Sequence, residues 1–299
     1  MSNNFDDIFN SPEARGNLND QPFDKDAWAE KKQAERQAVY DLADATAAEV
    51  CADGEKFRAY LDTQTRFDRY SATNTLLILA QMPTATQVKD FDGWKDAGAS
   101  IKRQQKGISI LEPGSEYERE DGTIGTGYNV KKVFDISQTT ARAKVQPTVN
   151  VDDRLLLKAL IHRAPVPIQM VDYAPNGLGA LYDYGQHILY VQRGMDAGDI
   201  FRSVSVELAH VEIAQKEMGY SRDRASFTAY CASYMLCQKN GVDVSSYDFI
   251  SLPDSLRESD PQTQRAALSE IRDTAANIST RMSRVLEQNK APRTKEQER

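Results

Sequence analysis

Histidine and cysteine are scarce, with three of each among 299 residues. His162, His187 and His210 are too few for a histidine-rich metal site. Cys51, Cys231 and Cys237 are an odd number at spacings that match neither a C-x-x-C redox pair nor a zinc knuckle, so small buried thiols in a reducing cytoplasm are expected. No apolar run approaches the ~18 residues of a membrane helix, and no membrane association is expected. Residues 1–20, polar and acidic, lack the basic-then-apolar order of a secretory signal. They read as part of a disordered acidic lead, residues 1–23, on a cytoplasmic protein.

What remains is an ordinary globular composition, 40% hydrophobic and 27% charged, with enough length for two domains. The net charge of −7 argues against a generic nucleic-acid binder, but the acidity is concentrated at the front. Residues 1–60 carry seven basic and 13 acidic side chains, whereas residues 61–150 carry 12 and 11. Within that middle third, residues 97–111 hold Lys102, Arg103 and Lys106 and no acid. Residues 129–147 hold Lys131, Lys132, Arg142 and Lys144 against Asp135 alone. Two locally basic segments therefore sit inside a neutral region.

Periodicity sets the organisation. Residues 24–52 read as a long amphipathic helix ended by Gly54, and Phe57, Tyr60, Leu61 and Phe67 continue an apolar face on a second. Ser71 supplies an N-cap for an apolar helix over 72–81 that Pro83 stops. Short β-like runs follow at 100–101, 107–111 and 128–136, separated by Pro113-Gly114 and Asp121-Gly122. The unpatterned stretch around Pro147 reads as a linker at 141–151. Then come a helix at 152–162, strands at 166–171, 179–184 and 187–191, a helix from Asp199, and another over 224–240 closed by Gly241. The last helix carries Leu268, Ile271, Ala275, Ile278, Met282 and Val285 at alternating spacings of three and four. That seam is expected to pack on its own domain, with a dimer or partner contact as the lesser alternative. Residues 288–299 read as a disordered charged tail.

The expectation is an α+β chain with two domains. A helical domain with a small antiparallel sheet covers residues 24–140, and a helix, three-strand, helix domain with a long final helix covers 152–287.

Val206-Glu207-Leu208-Ala209-His210 carries the chemistry. In H-E-x-x-H two histidines one helical turn apart grip zinc, and the glutamate acts as general base on the bound water. Here Val206 stands at the first histidine position and offers no lone pair to a cation. Gly177-Leu178-Gly179 lacks the strand-turn-helix setting of a phosphate loop, and Ser203 and Ser205 have no oxyanion-hole motif beside them.

Four blocks in order complete the pattern: Phe67-Asp68-Arg69-Tyr70-Ser71-Ala72-Thr73-Asn74; Gln81-Met82-Pro83-Thr84-Ala85-Thr86; Trp94, Gly98 and residues 106–113; and residues 133–139. With Glu207-Leu208-Ala209-His210, and more loosely residues 234–247, the chain resembles the ArdC-type antirestriction proteins of mobile elements across roughly residues 60–250. The resemblance implies an N-terminal single-stranded DNA-binding domain and a C-terminal metallopeptidase-like, zincin domain. Members with an intact site have histidine at position 206, and the completing carboxylate falls near Tyr230.

Two ligands are therefore replaced, and Glu207 and His210 are expected to be vestigial, leaving a pseudoenzyme. No cofactor is expected, zinc entering only if Glu212, His187, Asp199 or Asp223 converge on His210. The alternatives are an active peptidase with such an atypical ligand set, and a protein-interaction module that does not touch DNA.

For the single strand, the candidate stacking rings are Tyr70, Trp94 and Tyr128, and the candidate phosphate contacts are Arg69, Lys102, Arg103, Lys106, Lys131 and Lys132. Ser71 lies in the first block, and Asn74 offers its amide to a phosphate or base edge. The plain alternative for Tyr70 and Trp94 is a place in the core, and for the cations a solvated face. A host defence or replication protein is the second expected partner.

Overall fold

A computed structural model of the chain describes residues 24–118, 122–142, 152–216 and 218–288. The acidic lead, most of the expected linker and the C-terminal tail beyond Gln288 lie outside the described residues. Residues 1–38 and 39–299 form two compact units. In the first, the described residues are the opening turns of helix α1 (Lys25–Ala52), where the Asp24 carboxylate accepts from the Asp26 and Ala27 amides at 3.0 Å each. They are largely solvent-exposed.

In the second unit α1 turns a stripe of Val39, Ala43, Ala47, Val50 and Cys51 inward. Asp53 caps α2 (Gly54–Arg66) through the Lys56 amide, and Ser71 caps α3 (Ala72–Gln81) through the Asn74 amide at 3.2 Å. The first sheet has the order β1-β3-β2, all antiparallel, from β1 (Val88–Lys89), β2 (Ile108–Glu118) and β3 (Ile124–Asp135). Helix α4 (Phe91–Asp96) leads out of β1. Pro113, expected to end a strand, lies within β2, next to a register shift between Pro113 and Glu116. β2 is an edge strand, where the missing proline N–H removes no sheet hydrogen bond, so the hairpin runs on past it.

The second half begins with α5 (Asp153–Ile161) and a sheet of order β4-β6-β5, from β4 (Ile168–Val171), β5 (Ala180–Asp183) and β6 (Ile188–Gln192). β4 pairs parallel and β5 antiparallel with the central β6. Helices α6 (Ala197–Lys216) and α7 (Arg222–Asn240) follow, the latter closed by Gly241 at φ +72°, a left-handed conformation only glycine adopts without strain. A short α8 (Asp254–Arg257) precedes α9 (Pro261–Gln288). The nine α-helices and two small sheets among the described residues make the chain α+β.

One hydrophobic core draws on both sides of the expected linker. Phe57, Tyr60, Leu61 and Leu76 share it with Leu160, Phe201, Leu208 and Tyr234. Polar contacts cross as well: Tyr234 donates to Asp62 at 2.6 Å and accepts from Arg58 Nε at 3.2 Å. The seam of α9 is consumed within the chain, with Leu268, Ile271, Ala275, Ile278 and Met282 buried against the same core. A second cluster of Phe67, Ile78, Ile108, Ile110 and Val133 joins α3 to the first sheet. The three cysteines are free and buried, and burial pushes the Cys51 thiol up to about 12, so it stays protonated and unreactive. Among the described residues no helix is long and apolar enough to cross a membrane.

Candidate functional site

Glu207 and His210 lie on one face of α6, one turn apart, and both are buried. The Glu207 carboxylate is not an idle remnant. It takes a two-point ion pair from Arg222 at the start of α7, with Nη1 at 2.9 Å from Oε2 and Nη2 at 2.5 Å from Oε1. Its Oε2 also accepts the Tyr182 amide of edge strand β5 at 2.7 Å. Three donors converge on one carboxylate, and they tie α6 to α7 and to the sheet edge.

The Tyr220 hydroxyl is 2.9 Å from His210 Nδ1. Burial, and then repulsion by Arg222, push the His210 ring down to about 4. Burial pushes Tyr220 up to about 12, which keeps it a donor. Tyr182, Tyr184 and His187 continue the wall, the Tyr184 and Tyr220 rings lying 5.0 Å apart and the Tyr182 hydroxyl 3.3 Å from His187 Nδ1.

A zinc ion does not fit this donor set. Glu207 is saturated by Arg222 and Tyr182, and His210 has too few further ligand side chains near it among the described residues. Val206 packs against the core, and Tyr230 stacks with Tyr247 and Phe249 while accepting the Asp248 amide at 2.7 Å. Of the residues that might have rebuilt the site, Glu212 is paired with Arg281, Asp199 with Arg202 and His187 with Tyr182, while Asp223 is exposed. Among the described residues no three His, Cys, Asp or Glu side chains gather closely enough to hold an ion. The positive charge beside Glu207 is the guanidinium of Arg222.

The residues expected to meet DNA divide into two groups. Trp94 is 2% exposed, and its indole donates to the Phe134 carbonyl at 2.7 Å, so its ring cannot stack on a base. Asn74 is also committed: its amide donates to the Leu111 carbonyl at 2.7 Å and accepts the Leu111 N–H at 2.8 Å. Ser71 is the N-cap of α3. Tyr70 is half-buried edge-on to Phe67, and Lys131 is bridged to Asp90 at 2.8 Å and Glu112 at 2.9 Å. Lys132 reaches Ser109 Oγ at 2.5 Å, although most of its stem faces solvent.

The second group is exposed. Arg69 is open to solvent, and Lys102, Arg103 and Lys106 stand together on the turn before β2, with only Lys102 tied back, to the Ser137 carbonyl at 2.8 Å. Tyr128 on β3 is 39% exposed.

Arg222, Tyr220 and Gln81 escaped the sequence reading. Gln81 repeats the Asn74 contact seven residues on: its amide donates to the Ser109 carbonyl and accepts the Ser109 N–H, both at 2.9 Å. Two amides seven apart on one helix face were the available signal. For Arg222 there was none, because the loop that returns it to Glu207 follows no spacing rule.

Fold and site together define an α+β protein in which a buried glutamate is closed by an arginine ion pair. No family model matches the chain, and no curated protein matches it. Two crystal structures of the antirestriction ArdC protein from the R388 plasmid are similar to it. The metal-free form is 16% identical, with a TM-score of 0.48 over 72% of this chain and 86% of its own. The Mn(II)-bound form is 14% identical, with a TM-score of 0.49 over 72% of this chain and 84% of its own.

Proposed function

We propose that the chain is an antirestriction-type protein that binds single-stranded DNA, and that its metallopeptidase-like cleft binds a protein segment without cutting it. The observation that carries the second half is the Glu207–Arg222 pair. A general base must be free to take a proton from water, whereas this carboxylate is held by a fixed cation and a backbone amide. His210 alone supplies too few ligands to hold a metal ion, since no group of three candidate ligands gathers among the described residues. The tyrosine wall beside it is a surface for contact, and a host defence or replication protein is the class of target.

DNA binding is assigned to the part of the chain before residue 141. It rests on Lys102, Arg103 and Lys106, three exposed cations on one acid-free turn, with Arg69, Lys132 and Tyr128 as further contacts. Phosphates are tracked by such cations, and each neutralised phosphate releases condensed counterions. Binding of a labelled single-stranded oligonucleotide across a salt series tests this. Wild type should weaken steeply with salt. The triple variant Lys102→Gln, Arg103→Gln, Lys106→Gln should lose about two units of the logarithmic salt slope. No binding at low salt, or an unchanged slope in the triple variant, removes the DNA assignment.

A further inference from the structure

The space between the end of α2, α7 and α9 is a cleft of about 390 Å³, within the range of small-molecule sites. It shares no lining residue with the Glu207 cleft. α9 presents Ala275, Ala276 and Ser279 there, and these short side chains leave the volume open. Met235 and Leu236 on α7 give it an apolar floor.

Cations outnumber acids around it. Arg69, Lys239 and Arg272 line the cleft with Asp68 and Glu287. Lys239 already neutralises Asp68 at 2.7 Å and holds Ser279 Oγ at 2.7 Å. Arg272 uses Nη1 on Asp273 at 2.5 Å, while its buried Nε has no partner. Among the described residues Arg69 makes no hydrogen bond or ion pair, and Thr280 lies on the same lining. The exposed Arg69 guanidinium, the part-exposed Arg272 side chain and hydroxyl donors next to an apolar floor match an anion with tetrahedral oxygens carried on an organic body.

We propose that this cleft is a binding site for a phosphomonoester of nucleotide size, the phosphate held by Arg69 and Arg272 and the organic part lying on Met235 and Leu236. The site shares Arg69 with the single-strand assignment and differs from it in taking nothing from the cations of the turn before β2.

Calorimetric titration of the full chain with a deoxynucleoside 5′-monophosphate, the corresponding nucleoside, and inorganic phosphate tests the proposal. The mononucleotide should bind saturably and more tightly than either part. Arg69→Gln should weaken it about tenfold, the worth of one charge-assisted hydrogen bond, with the unfolding midpoint unchanged because Arg69 has no internal partner. Ala276→Leu should block binding by filling the space, and Lys102→Gln should leave it intact. Absence of saturable binding at millimolar nucleotide, or an affinity unchanged in both Arg69→Gln and Ala276→Leu, overturns the site. Equal affinity for nucleotide and inorganic phosphate overturns the role of the apolar floor.

Discussion

The two sheets solve one problem with different chemistry. Each has an edge strand with unpaired backbone groups, and each is met by side chains from a helix. At β2 the helix α3 offers Asn74 and Gln81, whose amides copy a neighbouring strand by donating and accepting at Leu111 and Ser109. At β5 the helix α6 offers Glu207, which can only accept, and it takes the Tyr182 amide. A neutral amide needs nothing more. A buried carboxylate brings a charge that must be compensated, and Arg222 does this.

The sharpest way to break the parallel is to remove the compensation. Arg222→Met should cost about 3–5 kcal/mol in denaturant unfolding, because it leaves Glu207 charged and buried. Adding Glu207→Gln in the same chain should recover most of that loss, since glutamine still accepts the Tyr182 amide and turns the β5 device into a copy of the β2 one. A double variant no more stable than Arg222→Met would show that the arginine acts through packing alone.

Acid should separate the regions next. His210 is held near 4 in the folded chain, against an ordinary value of 6.5, by burial and by Arg222. Between those values the unfolded chain binds the extra proton, so stability is full above pH 6.5 and falls as the pH drops toward 4. The loss is on the order of 3 kcal/mol over the window, and His210→Gln should flatten it. An identical acid limb in that variant would place the titration elsewhere.

The smallest effect belongs to the neutral device. Asn74→Ala should cost about 1–3 kcal/mol by stranding the buried Leu111 amide and carbonyl. The loss should be the same at pH 5 and pH 7, because no charge is involved. Hydrogen exchange at Leu111 should rise with it.

Much of this architecture was legible in the sequence. The Ser71 cap, the glycine stop at Gly241 and the buried cysteines follow from local rules that depend on a few neighbours. The valine at position 206 and the tyrosine at 230 are partly buried and pack against the core. Trp94 and Asn74 were expected to face DNA because their residue types suit bases and phosphates. Both are instead taken up by backbone groups 40 and 37 residues away, contacts that no spacing announces. Glu207 was read as a leftover for the same reason: its partner Arg222 lies 15 residues on, across the turn between α6 and α7. Short-range pattern located the elements, and long-range polar pairing decided what their side chains do.

With the Arg222 guanidinium compensating Glu207, no cation is needed beside it. Zinc titration of the full chain, followed by dialysis and metal analysis, tests this directly in wild type and in His210→Gln. Neither protein should retain stoichiometric zinc. One tightly held zinc per chain in wild type, lost in His210→Gln, would contradict it.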